Sequence, residues 1–379
     1  MLAHYADVWK AMDRSDFTIA LTGDFFSDEH GNEKLGAQEF LSYVQAEGYE
    51  VRTTKALLSN GIKFRYVITN HAISAEPKLG YITKKLNRGS RLVNRGLSSL
   101  GVKVRVRESG AQFTYLPQRL GKRQIRYMYG ADINEGWSLQ GWNNIYDVFL
   151  CHGVNDEREI KKRFKGKTFI MGYPRYDRFF SGDMDLSRIR REFGLSESKK
   201  TVVWMPTLGG DYSSIPLFAQ ALSTISEKYN IIVRPHPISF VQEKNFISLL
   251  EKFKFNIDRG ALRDMNELFG VADVVLADNG GSPFSAIFLG KSVIFLEVPD
   301  DLGNRSAATF YIAGSSVMEL KKHLPVISNQ EMGRLVDMLD SELFYKENRG
   351  CIEMLFKRYF DSPRGGGAKR VVEILTDLD

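Results

Sequence analysis

Sulfur is scarce in this chain: 379 residues contain two cysteines, Cys151 and Cys351, far apart and outside any CxxC or Cys/His spacing. That excludes a disulfide framework and a zinc-finger type of site. No other metal-ligand cluster is visible in the sequence, and no cofactor is expected. Proline is also sparse, at 11 residues, and no biased tract suggests disorder. No run approaches the roughly 20 unbroken apolar residues of a membrane span. The N-terminus lacks the basic-then-apolar layout of a secretion signal, so a cytoplasmic protein is expected. Helix-turn-helix, zinc-finger and aromatic RNP-like patterns are missing, which argues against nucleic acid as a partner. No short-period repeat is present, which excludes a solenoid.

Acidic residues are nearly missing from one stretch. Between Lys84 and Arg126, Lys84, Lys85, Arg88, Arg91, Arg95, Lys103, Arg105, Arg107, Arg119, Lys122, Arg123 and Arg126 face a single acid, Glu108, in a chain whose formal charge is only +6. A solvated basic face is one reading. The other is peripheral contact with anionic lipid on the inner membrane face, since each basic residue near such a surface contributes about 1 kcal/mol.

The length exceeds what one core serves well and suits two domains. Short apolar runs alternate with amphipathic stretches, the rhythm of strands and helices in a parallel sheet. In the N-terminal half, strands are expected at Phe17–Thr22, Phe64–Thr69, Gln124–Tyr129 and Tyr146–Cys151, with helices at Gln38–Glu47 and Asp156–Phe164. After Gly172-Tyr-Pro-Arg-Tyr-Asp177 the composition changes, which places the boundary between domains 1–177 and 178–379. The second half repeats the rhythm more cleanly, with strands at 201–205, 231–234, 255–257, 274–277 and 293–296. Helices from Gln330 onward are expected to cross back over the interface.

The segment from Ala272 to Leu296 carries the most chemistry. An apolar strand runs into Asp278-Asn279-Gly280-Gly281-Ser282, then Pro283 and a helix that stops at Gly290. Ser282 is expected as the N-cap and Pro283 as the first helical residue. A helix start flanked by glycines presents free N–H groups and partial positive charge, so a pyrophosphate fits it. A turn of this kind also serves simply to join a strand to a helix. A second strand, Ile231–Arg234, ends in Arg234-Pro-His236-Pro, where a guanidinium can offset phosphate charge and an imidazole can donate to a leaving phosphate. A third ends in Pro206-Thr207-Leu-Gly209-Gly210, with Thr207 available to a nucleotide. All three ends would share one edge of one sheet. In the N-terminal half, His71, His152 and Asp132 each follow an apolar strand; any of them could be an acceptor-side base, a cap or a purely structural group.

These residues together resemble the CDP-glycerol glycerophosphotransferase family, which builds teichoic-acid-like chains. The resemblance spans roughly residues 60 to 300. It rests on Tyr66–His71, Gly172–Asp177, Pro206-Thr207, Arg234–Pro237 and the turn led by Asp278. It implies a GT-B fold, two Rossmann-like parallel-sheet domains facing a central cleft. It also implies a nucleotide-diphosphate donor and a hydroxyl acceptor on a cell-surface glycan or lipid-linked precursor. Two departures stand out. The family has histidine-glycine-threonine where this chain has Tyr129-Gly130-Ala131, and tyrosine-serine-serine where it has Asn279-Gly280-Gly281. The second turn is similar to that of UDP-N-acetylglucosamine 2-epimerases, whose histidine-arginine-x-glutamate-asparagine stretch is absent.

The expected activity is transfer of a glycerol-phosphate or related group from a CDP-linked donor. Thr207, Arg234, Asp278, Asn279, Gly280, Gly281 and Ser282 would bind the donor, His236 would assist departure of the nucleotide, and the base would be His71, His152 or Asp132. The rivals are a GT-B glycosyltransferase of surface polysaccharide synthesis using a UDP-sugar and a UDP-N-acetylglucosamine 2-epimerase-like enzyme, which would need no acceptor. From a different class, a non-catalytic surface-binding module would make the basic stretch the active feature.

Overall fold

The computed structural model describes residues 2–22, 37–70, 115–128, 130–131, 143, 145–208, 212–260, 263–298 and 316–378. Its strands are β1 (Ile19–Leu21), β2 (Val51–Thr53), β3 (Phe64–Thr69), β4 (Gly121–Tyr127), β5 (Val148–Cys151), β6 (Lys167–Ile170), β7 (Thr201–Met205), β8 (Asn230–Val233), β9 (Asn256–Ile257), β10 (Val274–Ala277), β11 (Ser292–Leu296) and β12 (Val326–Ile327). Every pairing is parallel. β1 and β2 form a separate pair, β3-β4-β5-β6 form one sheet, and the order β12-β11-β10-β7-β8-β9 forms the other.

The six-stranded sheet is buried on both faces, and the period-2 alternation of its strands explains how. Val203, Met205, Ile232, Val275, Ala277, Val293 and Phe295 point to one layer, which holds the helices Met265–Val271, Ser282–Phe288 and Glu342–Tyr359. Val202, Trp204, Ile231, Val233, Val274, Leu276, Ile294 and Leu296 point to the other, under the helices Ile215–Ser223, Lys244–Lys252 and Met332–Asp340. Burying each of these side chains is worth about 1.5–3 kcal/mol, which is why near-continuous apolar runs become central strands.

Two hydrophobic cores meet near Gly172: Met171 belongs to the core of the four-stranded sheet and Tyr173 to that of the six-stranded one. The last helix, Gly367–Asp377, packs in the core of the four-stranded sheet. Its Ala368, Val371 and Leu375 pack with Ile125, Val148 and Leu150. Asp177 holds the start of that helix by accepting from the backbone N–H groups of Gly367 at 2.9 Å and Ala368 at 2.7 Å. The chain thus passes between these two cores twice within this small region. Gly153 allows the crossing to be tight, because a β-carbon there would meet the Phe360 backbone at 2.3 Å.

Candidate active site

The order of the six-stranded sheet creates a crevice. β7 and β10 are neighbours, yet the chain continues from β7 toward β8 on one side and from β10 toward β11 on the other. The turns that follow them therefore diverge at the C-terminal edge, where ligands of open α/β sheets bind. Thr207 and Asp278 lie just beyond these two strand ends.

Asp278 ties the diverging turns together. Its carboxylate is fully buried and accepts from the backbone N–H groups of Thr207 at 2.9 and 3.2 Å, Ser214 at 2.8 Å and Asn279 at 2.6 Å. Burial raises its pKa, and the bonds from Ser214, Asn279 and Thr207 oppose that rise. Trp204 extends the knot by donating its indole N–H to Ser214 Oγ at 2.9 Å. Asp278, expected among the donor contacts, stands behind the turn and shapes it.

In front of Asp278 the glycines differ. Gly280 has φ +74°, a left-handed conformation that glycine adopts without strain, and a β-carbon there would stand 3.4 Å from Thr207 Oγ1. Gly281 lies in the ordinary right-handed region and is itself the N-cap, so the helix begins at Ser282 with Pro283 in its second position. That shifts the expected cap by one residue. Asn279 Oδ1 accepts from Lys321 Nζ at 3.3 Å, and its amide group donates to the Tyr212 carbonyl at 3.5 Å. Lys321, at the end of the helix Ser316–Lys321, escaped the sequence reading because nothing local links it to residue 279.

Arg234 and His236 follow β8, the next strand over. Arg234 is buried, with its guanidinium held toward the end of β9 by the Asp258 carbonyl at 3.2 Å and the Asp258 carboxylate at 3.2 Å. His236 is exposed, and its Nδ1 accepts from the Ile238 backbone N–H at 3.2 Å. The imidazole proton is therefore on Nε2, facing outward. Partial enclosure in the turn lowers the His236 pKa, Glu243 opposes that shift, and Arg234 adds to it. At neutral pH the side chain is a neutral N–H donor.

His152, at the end of β5, is fully buried. Its Nδ1 lies 2.8 Å from Asp156 Oδ2, its ring packs 4.1 Å from that of Tyr173, and its Nε2 has no hydrogen-bond partner among the described residues. Its ring neighbour Tyr173 packs in turn against Phe360. His71, Asp132, Tyr129, Gly209 and Gly210 lie outside the described residues, as does the basic stretch before residue 115. Its described end is no uniform solvated face: Arg126 is buried against Asn143 and the rings of Tyr146 and Phe149, and Arg123 is tied to the Leu378 carbonyl. Burial raises the pKa of both Cys151 and Cys351, which leaves neither poised as a thiolate nucleophile. No described helix is long and apolar enough to cross a membrane.

Comparison with known proteins bears on this architecture. Residues 130–376 match the family described as CDP-Glycerol:Poly(glycerophosphate) glycerophosphotransferase. The teichoic acid poly(glycerol phosphate) polymerase of Bacillus spizizenii is 24% identical over 222 residues, which is 55% of this chain and 53% of that protein. The chain thus spans about half the length of this curated relative. Among solved structures, the wall teichoic acid polymerase TagF superposes with a TM-score of 0.58 at 14% identity, covering 99% of this chain and 91% of that one. Anabaena Alr3699/HepE, solved in complex with UDP and glucose, gives 0.52 at 12% identity, covering 98% and 94%. At such identities the likeness establishes the shared GT-B fold.

Proposed function

The chain belongs to the CDP-glycerol:poly(glycerophosphate) glycerophosphotransferase family, and from that premise we propose that it transfers a glycerol-phosphate or related polyol-phosphate group from a CDP-linked donor to an acceptor hydroxyl. The acceptor is a cell-surface glycan or its lipid-linked precursor. The observation that carries this reading is the joining of the β7 and β10 turns through Asp278 at the divergence of the sheet. That knot holds Thr207 and the Gly280–Ser282 turn at the edge where a nucleotide diphosphate would lie.

In this reading the acceptor oxygen attacks the phosphorus that bears the glycerol, and the bond from that phosphorus to the bridging oxygen breaks. CMP leaves with the electron pair. Backbone N–H groups of the Gly280–Ser282 turn and the Nε2–H of His236 stabilise the charge that develops on it. The acceptor proton passes to a base on the first domain, His71 or Asp132, and fixed positions supply much of the rate enhancement. The basic stretch from Lys84 to Arg107 would keep the enzyme at an anionic membrane that presents lipid-linked acceptors.

Product analysis tests the reading. With CDP-glycerol and a lipid-linked glycerol-phosphate primer, acceptor-dependent release of CMP is expected. Release of UDP from a UDP-sugar, with CDP-glycerol inert, would instead make the chain a glycosyltransferase. Gly281→Trp should abolish CDP-glycerol binding by filling the turn.

A further inference from the structure

The turn after β10 is held from two sides. On the β7 side, Asp278 binds the amides of Thr207 and Ser214. On the β11 side the contact is made by Asn279, a buried residue whose Oδ1 accepts from Lys321 Nζ at 3.3 Å. The same Nζ lies 5.5 Å from the centre of the Phe295 ring. Phe295 is in β11 and stands opposite Ala277, the last residue of β10. These two contacts put the ammonium at the C-terminal edge of the sheet, against the residue that leads into Gly280, Gly281 and Ser282.

The backbone that carries Lys321 is anchored. Its helix, Ser316–Lys321, seats Val317 and Leu320 in the core that also holds Phe284, Ile287 and Phe295. Glu319 of this helix pairs with Arg358 at 2.8 Å and with Lys322 at 2.7 Å, which ties the helix to the long helix Glu342–Tyr359. A cation in the last turn of a helix complements its dipole, and that is the purely structural reading. It leaves unexplained why the ammonium ends on the amide of a buried asparagine inside a glycine turn. An amide oxygen directs an ammonium without neutralising it, and an ammonium has three N–H donors, enough to hold Asn279 and an anion together. Next to Asn279 the surface is bare: Gly280 has no side chain, and a β-carbon there would already stand 3.4 Å from Thr207 Oγ1. The turn is therefore flanked by a hydroxyl toward β7 and an ammonium toward β11.

We propose that Lys321 is a phosphate-binding cation of the donor site, its ammonium contacting the diphosphate of the nucleotide-activated donor on the β11 side of the turn. This rests on the donor assignment made above and deepens it by naming the cation that meets the diphosphate there. Asn279 is then a positioning residue, which holds Nζ at the turn. As the bond from phosphorus to the bridging oxygen breaks, negative charge gathers on the departing CMP, and a fixed cation on the turn stabilises it. Lys321 acts through phosphate, so the identity of the nucleoside base does not enter.

The test uses calorimetry on the full chain with CDP-glycerol, UDP-glucose and inorganic pyrophosphate, comparing wild type, Lys321→Met, Lys321→Arg and Asn279→Ala. CDP-glycerol affinity should fall about tenfold or more in Lys321→Met and less in Lys321→Arg, which keeps the charge. Asn279→Ala, which keeps the ammonium and loses its tether, should lie between wild type and Lys321→Met. Raising salt from about 0.05 to 0.5 M screens an ammonium–phosphate attraction, so wild type and Asn279→Ala should lose affinity with salt more steeply than Lys321→Met. If Lys321 only props Asn279, Lys321→Met and Asn279→Ala weaken binding equally and share the wild-type salt dependence, and this result overturns the proposal. Lys321→Gln repeats the comparison if the methionine variant melts early. The donor reading fails separately. If wild type binds pyrophosphate through Lys321 but neither CDP-glycerol nor UDP-glucose, the phosphate contact stands and the donor assignment falls. If CDP-glycerol binds equally well to wild type and Lys321→Met, the donor assignment stands and the role of Lys321 falls.

Discussion

Replacing Asp278 by asparagine separates a residue that builds the site from one that touches the ligand. The carboxylate accepts from three backbone N–H groups, those of Thr207, Ser214 and Asn279, at 2.6–2.9 Å in the closest contact to each. An asparagine keeps one acceptor oxygen and turns an N–H₂ toward the remaining donors. In either orientation at least one buried N–H loses its partner, at about 1–3 kcal/mol, and the bonds that survive lose the help of the negative charge. Relief of the desolvation that raises the Asp278 pKa recovers part of this. The expected net loss is about 2–4 kcal/mol, or roughly 5–12 °C in melting temperature for a unit of this size. Trp204 is a convenient reporter, since its indole N–H donates to Ser214 within the same knot. Urea titration followed by tryptophan fluorescence should show the loss without any ligand present. Unchanged stability in the unliganded variant, together with lost donor binding, would refute the reasoning and make Asp278 a direct ligand contact.

Gly280→Ala should cost about 1–2 kcal/mol because of the φ of +74°, and should weaken donor binding by crowding Thr207 Oγ1. Gly281→Ala, in right-handed backbone, should change stability by less than about 0.5 kcal/mol. Thermal melts of the two variants side by side check the contrast. The His236 pKa is lowered, first by burial in the turn, and a dianion beside it raises that pKa. Donor binding near pH 6 should therefore take up protons, which calorimetry in buffers of different ionisation enthalpy detects; His236→Ala should abolish the uptake. Asp7 has its pKa raised to about 6, first by burial and then by Asp177 and Asp264, against Lys10 and Arg178. The unfolded chain releases this proton near pH 4 while the folded protein holds it to about 6, so the stabilisation is complete below pH 4 and is lost as pH rises through 6. Asp7→Asn should stabilise the protein at pH 7 by about 1–2 kcal/mol, after discounting for partial exposure, and flatten the dependence of melting temperature on pH between 4 and 7.

The parts of this fold legible in the sequence were those whose own side chains declare their surroundings. β7 and β10 occupy the expected residues because continuous apolar runs are buried on both faces, while β3 occupies its expected residues although its side chains are only partly buried. β2, β6 and β12 were missed. Val51–Thr53 and Val326–Ile327 are too short to establish a period, and Lys167–Ile170 opens on an exposed lysine at a sheet edge. The last helix is amphipathic enough to be expected, but its pattern does not say which sheet its apolar face will meet. Within the site, the turn that needs a left-handed residue was readable from its glycines, although not which of the two required it.

What remained hidden were pairings between strand ends. Asp278 looked like a ligand contact because it leads a glycine-rich turn, and only the adjacency of β7 and β10 places the amides of Thr207 and Ser214 around it. Arg234 looked like a free phosphate anchor, and only the pairing of β8 with β9 sets Asp258 against it. The two cases have opposite consequences. Asp278 is satisfied by the fold and can be removed only by weakening the turns it joins. Arg234 shares its carboxylate with Arg263, so its removal leaves Asp258 paired. Substitution at Asp278 should therefore register in the stability of the unliganded protein.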